Sequence, residues 1–311
     1  VSVTVVGSIA FDAVKTPFGE RERMLGGSAV HFALAASFFD DVHVVGPVGD
    51  DFGPDEYAVL ERRGINTADI ERIPGGQTFF WRGEYGWDLN DRETLDTQLG
   101  VFADFQPRLS ETSRGSDVLF LANIQPDLQR EVRDQWAGSG FVAMDSMNLW
   151  IETARDSLIE TIGGVDCVML NDAELRQLTR EPNLVRAAQQ VRDWGPGVTV
   201  AKRGEYGAAM ITDEGFFSLP AFPLETVVDP TGAGDSFAGG FVGYVAAHAG
   251  EGIDHALLTR AMAYGTALAS FNVEEFGVER VARLTGEELA ERVAELHRLT
   301  QFEGRPIALR H

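Results

Sequence analysis

A chain of 311 residues, 44% apolar and 24% charged, is long enough to bury one large core and has the composition of a globular protein. Its formal charge of −22 repels nucleic acid and anionic membranes, which excludes both as partners, and its apolar runs are too short to cross a bilayer as a helix. Lysine occurs only at Lys15 and Lys202, which fits either a bias toward arginine codons or adaptation to high salt, where a carboxylate-rich surface stays hydrated.

In chain order, residues 1–8 form a β-branched run that lacks a basic n-region and reads as a strand rather than a signal peptide. The spacing predicts a helix over 27–39. A second β-branched run at 42–48 ends in the turn-rich Gly49-Asp50-Asp51, and a short helix at 56–63 is stopped by Gly64. Residues 75–105 break this rhythm. Within them, 78–85 reads as an exposed strand carrying aromatics, and the segment beyond is rich in Trp, Asp, Asn and Arg, so the stretch is an excursion from the main sheet. Short apolar runs of buried-strand type then recur at 117–122, 141–145, 165–171 and 198–202, separated by helical stretches of crossover length. The single cysteine, Cys167, lies in one of these runs, which predicts a buried thiol, no disulfide framework and a cytoplasmic setting. Helices are expected at 236–249, 255–271 and 285–300, the last opening on a capping box of Thr285 and Glu288.

The pattern predicts an α/β fold: a mostly parallel sheet covered by helices on both faces. In such sheets ligands bind beyond the carboxyl ends of the strands. Asn123, Gln125, Asp145 and Asn148 fall near two such ends, where they either line a pocket or satisfy loop backbone.

The most informative stretch is Asp229-Pro-Thr-Gly-Ala-Gly-Asp235-Ser-Phe-Ala-Gly-Gly240, read as lying between a strand at 226–228 and an apolar helix. Gly232 and Gly234 allow a turn whose N–H groups converge, and the helix start adds its own unpaired N–H groups; together they make a concave site for anionic oxygens. A bare carboxylate beside that site is a poor phosphate ligand. It makes sense if an acceptor hydroxyl comes between the two and loses its proton as it attacks. On this reading the helix N-terminus keeps Asp235 ionised. Gly239 and Gly240 each weaken the helix by roughly 1 kcal/mol relative to Ala, which points to a closely packed neighbour.

This string closely resembles the C-terminal signature of the ribokinase-like (PfkB) carbohydrate kinases, D-T-x-G-A-G-D. Gly26-Gly27-Ser-Ala-Val-His31-Phe-Ala-Leu-Ala is similar to that family's N-terminal glycine-pair segment, and Asn171-Asp-Ala-Glu174 to its N-x-x-E motif, all in the expected order. The resemblance implies a single domain over 1–311 with a small β-lid at about 13–25 and 75–105, and transfer of a phosphoryl group from ATP, with magnesium, to a hydroxyl. It assigns Gly232, Ala233 and Gly234 to the transferred phosphoryl and Asp235 to the general base. Asn171, Glu174, Lys202, Gly204, Gly207 and Gly265 are assigned to the nucleotide side, with Glu174 holding magnesium through water. Asp12, Gly26, Gly27, His31 and Asn123 fall to the acceptor. Ribokinase itself has Asn where this chain has His31, which departs from a ribose pocket. The family also implies a monovalent cation, potassium, near Asp229 and the loop 270–277, and a homodimer through the lid. Three functions follow for comparison: a sugar or sugar-acid kinase; an adenosine-type nucleoside kinase, with Phe79, Phe80, Trp81 and Trp87 available to stack on a base; and a catalytically silent ligand-binding regulator on the same fold.

Overall fold

The computed structural model describes residues 1–90 and 92–301; residues 302–311, the end of the expected 1–311 domain, lie outside the described residues. Its strands in chain order are β1 Ser2–Val6, β2 Ala10–Thr16, β3 Gly19–Gly26, β4 Asp41–Val48, β5 Ile70–Arg72, β6 Phe79–Tyr85, β7 Arg92–Gln98, β8 Val118–Leu121, β9 Val142–Asp145, β10 Cys167–Asn171, β11 Val198–Lys202, β12 Ala208–Thr212 and β13 Gly215–Leu219. Nine of them form one sheet in the order β13-β12-β11-β10-β9-β8-β1-β4-β5, parallel except for the β11–β12 and β12–β13 pairs at one edge. The antiparallel edge hairpin was not legible among the predicted strands.

The apolar runs are continuous because both faces of this sheet are covered. Along β8, Val118 and Phe120 enter one core while Leu119 and Leu121 enter the other; Cys167 and Met169 of β10 alternate with Val168 and Leu170 in the same way. The first core is closed by three helices, Ser28–Ala36, Ala233–His248 and His255–Asn272. The glycines of the second helix serve the close packing expected of them. A Cβ at Gly239 would meet the Phe32 carbonyl oxygen at 2.3 Å, and one at Gly240 would meet Leu268 at 2.7 Å.

The remaining four strands form a separate mixed sheet, β3-β2-β6-β7, that stands off the main one. It begins at Ala10, earlier than the expected excursion. Its aromatics are less free than anticipated: Phe79 stacks on Phe102 at 5.5 Å, Tyr85 is buried, and Trp87 is the one that protrudes. Cys167 is buried in the main sheet, as expected. Among the described residues, no helix is long and apolar enough to cross a membrane.

Candidate active site

Parallel register delivers the polar ends of three strands to one place. Met169 of β10 pairs with Asp145 of β9, and Asn171 of β10 pairs with Lys202 of β11, so the last residues of β9, β10 and β11 emerge side by side. Lys202 Nζ lies 2.6 Å from Asp145 Oδ2, with both side chains largely buried. Burial opposes the ammonium charge, but Asp145, Glu174 and Asp235 together outweigh it and hold the lysine pKa up. Asn171 and Glu174 form a reciprocal capping box for the Asp172–Thr179 helix: Asn171 Oδ1 accepts from the Glu174 N–H at 2.7 Å, and Glu174 Oε2 accepts from the Asn171 N–H at 2.8 Å. The N-x-x-E string thus has a local structural reason as well. Burial, with Asp145 adding to it, raises the Glu174 pKa to about 7.

The glycine loop starts differently from expectation. Residues 226–228 are not a strand; they are irregular backbone, tied down by the Val228 and Asp229 N–H groups donating to the Val273 carbonyl at 2.8 and 3.3 Å. Asp229 is fully buried and clamps two turns, its Oδ1 accepting from the Thr231 N–H at 2.9 Å and its Oδ2 from the Gly277 N–H at 3.0 Å. Gly232, at φ 76°, caps the Ala233–His248 helix, and a Cβ there would fall 2.3 Å from the His31 ring. Asp235 is the third residue of that helix. Its pKa is raised by burial, an effect that Lys202 and Arg92 oppose. The helix N-terminus therefore does not settle its ionisation alone; the nearby cations matter as well.

His31 sits behind this loop. Asn272 Nδ2 donates to the Thr231 carbonyl at 2.7 Å, while Asn272 Oδ1 accepts from Ser236 Oγ at 3.0 Å and lies 2.9 Å from His31 Nδ1. The amide orientation puts the proton on Nδ1 and leaves Nε2 as an acceptor. Nε2 is buried without a partner among the described residues, and burial lowers the imidazole pKa. Sequence reasoning did not single out Asn272, which appeared only as part of a loop offering carbonyls.

On the opposite side Asp12 lies within β2, the strand after β1, at a register irregularity. Its carboxylate rests against Gly26, where a Cβ would come within 2.0 Å of Oδ2. Burial, then the charges of Asp229 and Asp235, raise its pKa to about 7. Register pairs Asp12 with Trp81 of β6, so both side chains leave the same face of the small sheet. Tyr85 of β6 also reaches the site, its phenol oxygen 3.2 Å from Thr231 Oγ1, and Arg92 is its register partner on β7. Neither residue carried a role in the sequence reading.

Two expected site residues have structural partners of their own. Asn123 is engaged at both ends, accepting from Trp150 Nε1 at 3.0 Å and donating toward Met147 Sδ at 3.0 Å. Gly265 serves helix packing, since a Cβ there would come within 2.8 Å of the Phe237 carbonyl oxygen. Its neighbour Thr266 lines a cavity of about 480 Å³ that also touches Lys202, Gly204, Gly207, Phe222, Ala233, Gly234, Ser270 and Val273. Thr266 Oγ1 is buried with no partner among the described residues.

A cavity that runs to a glycine loop and helix N-terminus, with the buried carboxyls of Asp12 and Asp235 near enough to interact, fits a small-molecule phosphotransferase of ribokinase-like architecture. The chain belongs to the PfkB family: the model described as "pfkB family carbohydrate kinase" matches residues 2–283. It is 31% identical to a nucleoside kinase of Methanothermobacter thermautotrophicus over 91% of this chain and 92% of that protein. It is 29% identical to a cytidine kinase of Thermococcus kodakarensis over 77% of this chain and 87% of the relative. In fold it resembles the solved nucleoside kinase of Methanocaldococcus jannaschii, with a TM-score of 0.75 at 20% identity, covering 94% of this chain and 98% of the other.

Proposed function

We propose that this kinase transfers the γ-phosphoryl group of ATP to the primary hydroxyl of a nucleoside. The observation that carries the reading is the register pairing of Asp12 with Trp81. A buried carboxyl able to accept from a vicinal diol stands beside an indole able to cover a base, which is the demand made by a ribose with an aromatic substituent. The identity to a cytidine kinase and a nucleoside kinase supports it.

In the reaction Asp235 takes the proton of the acceptor hydroxyl, the hydroxyl oxygen bonds to the γ-phosphorus, and the bond from that phosphorus to ADP breaks. N–H groups of Gly232 and Gly234 face the charge that builds on the phosphoryl oxygens, whereas the Ala233 N–H, expected to join them, donates to the Pro230 carbonyl at 3.2 Å. Lys202 supplies a positive charge beside Gly234. Gly204 and Gly207 shape the nucleotide end of the cavity. Gly26 leaves room for the Asp12 carboxylate and Gly27 for the Ser8–Ala10 backbone, so both shape the acceptor end from behind, and His31 packs against Gly232 in support of the loop.

Among the described residues, no cluster of three acidic, His or Cys side chains is poised to grip a metal. Glu174 and Asp145 would hold magnesium, largely through water. Its contribution is to neutralise charge on the phosphates. Of the loop expected at 270–277, residues 270–272 end the His255–Asn272 helix; the turn that follows would offer carbonyls to a potassium ion near Asp229. The small sheet closes over the acceptor and excludes water. Its exposed β3 and β7 edges suit pairing with a second copy, and the protein works in the cytoplasm.

The test is ADP release across a panel of nucleosides and free sugars, with magnesium, with and without potassium, and with Asp235→Asn as the blank. Turnover with nucleosides that is absent in the blank is the expected result. Turnover with sugars alone would overturn the acceptor assignment, and turnover that survives in the blank would overturn the mechanism.

A further inference from the structure

One long wall of the nucleotide-side cavity is irregular. Residues 220–230 belong to no helix or strand, yet Ala221, Phe222, Pro223, Leu224, Val227 and Pro230 all line the space. Backbone without a hydrogen-bond ladder depends on scattered contacts, here the Val228 and Asp229 N–H groups on the Val273 carbonyl and the packing of side chains. At Phe222 that contact comes from far along the chain. The guanidinium of Arg292, on the C-terminal helix Gly286–Thr300, lies 4.6 Å from the Phe222 ring centroid and 3.6 Å from that of Phe271. Its Nη1 donates to Ser270 Oγ at 3.0 Å and its Nη2 to Glu274 Oε1 at 2.7 Å. Ser270 lines the same cavity. Glu274 follows Val273, whose carbonyl receives the Val228 and Asp229 N–H groups at the entry to the glycine loop. The Arg292 side chain is only 15% exposed.

We infer that Arg292 is a positioning residue for the phosphoryl donor: it fixes Phe222 and Ser270 as the wall against which the nucleotide's base lies, without touching the nucleotide itself. The inference rests on assigning this cavity to ATP. A planar cation suits the task, because it can lie against two rings and still direct separate N–H groups at a hydroxyl and a carboxylate. Lysine cannot do all of this at once.

The structure contains its own control. Arg280 also lies over Phe271, at 4.7 Å, and binds Glu274 and Glu288; it shares Phe271 and Glu274 with Arg292, but among the described residues it makes no direct contact with Phe222 or Ser270. Its loss should therefore disturb the same helix packing and leave the cavity wall standing.

The experiment compares Arg292→Met, which keeps the length of the side chain, with Arg280→Met in the full chain. It reads ADP affinity by calorimetry, KM for ATP and for the acceptor, kcat at saturation, and Tm. Arg292→Met should weaken ADP binding and raise the ATP KM by about tenfold, with the acceptor KM and saturated kcat nearly unchanged. Arg280→Met should lower Tm comparably and leave ADP affinity within about twofold of the parent. Equal losses of nucleotide affinity in both variants would reduce Arg292 to a general packing role and overturn the inference. Phe222→Ala leaves the arginine network in place and should reproduce the loss of ADP affinity even if Arg292→Met folds poorly. A parent protein that binds ADP while neither Phe222→Ala nor Arg292→Met weakens it would refute the positioning role and leave the kinase reading intact. A parent protein that binds no nucleotide would overturn the cavity assignment itself.

Discussion

The two sheets of this molecule are held in opposite ways. In the nine-stranded sheet, β8 and β9 are buried along their whole length, and their side chains alternate between two cores. In the four-stranded sheet every residue of β7 is exposed, and β3 is exposed over most of its length. The first sheet supplies Asp145, Asn171 and Lys202 from strand ends that cannot move without breaking a core. The second supplies Asp12 from β2, which is itself largely buried, and Trp81, Tyr85 and Arg92 from the more exposed β6 and β7, with Tyr85 reaching Thr231 of the glycine loop. Groups that must keep a fixed geometry stand on the rigid layer or on the helix packed against it. Groups that must admit and release an acceptor stand on the other.

Four changes break or sharpen that comparison, in falling order of effect. Asp235→Asn, on the core-packed helix, should lower turnover by roughly 10²–10⁴-fold while ADP binding persists, as steady-state kinetics and calorimetry would show. Asp12→Asn, in the small sheet, should instead raise the acceptor KM by about ten- to a hundredfold, with the ATP KM little changed.

The same variant tests a pH effect. Asp12 titrates at about 7 in the fold against 3.8 in the open chain, so the folded state binds the extra proton between those values. The stability linked to it is present below about pH 4 and lost as pH rises through about 7. Asp12→Asn should therefore flatten the fall in Tm between pH 5 and pH 8. A fall as steep as the parent's would show that Asp12 is not the group responsible. Glu174, also raised to about 7, and the buried Asp145 and Asp235, raised as well, work in the same direction and contribute to the remaining slope, while buried His31, whose pKa is lowered, works against it.

Tyr85→Phe removes one hydrogen bond between the small sheet and the glycine loop, worth about 0.5–1.5 kcal/mol. It should lower kcat/KM for the acceptor by up to about tenfold with Tm almost unmoved. Thr285→Ala, remote from both sheets' shared site, removes a helix cap and should cost about 1 kcal/mol in unfolding free energy with no change in kinetics. Any kinetic effect there would show the C-terminal helix reaching the site through more than Arg292.

Much of this was legible before any fold was known. The strand and helix order, the glycine loop and both ends of the capping box at Thr285 and Glu288 are local patterns. Periodicity, turn chemistry and capping act over a few residues, so a short window contains everything that fixes them. Where a window misled, a distant partner was responsible. Residues 226–228 look like a strand, but their hydrogen bonds go to Val273 instead of a neighbouring strand. Asn123 reads as a pocket residue, yet Trp150 and Met147 occupy its amide.

The sequence by itself determined the chemistry available, namely a base at Asp235 beside a cradle of glycine N–H groups. Only the tertiary structure decided the company each group keeps. Lys202 meets Asp145 across 57 residues, and His31 meets Asn272 across 241. Such contacts follow from strand register and helix packing over the whole chain, and burial at those junctions sets the charges on which the site depends.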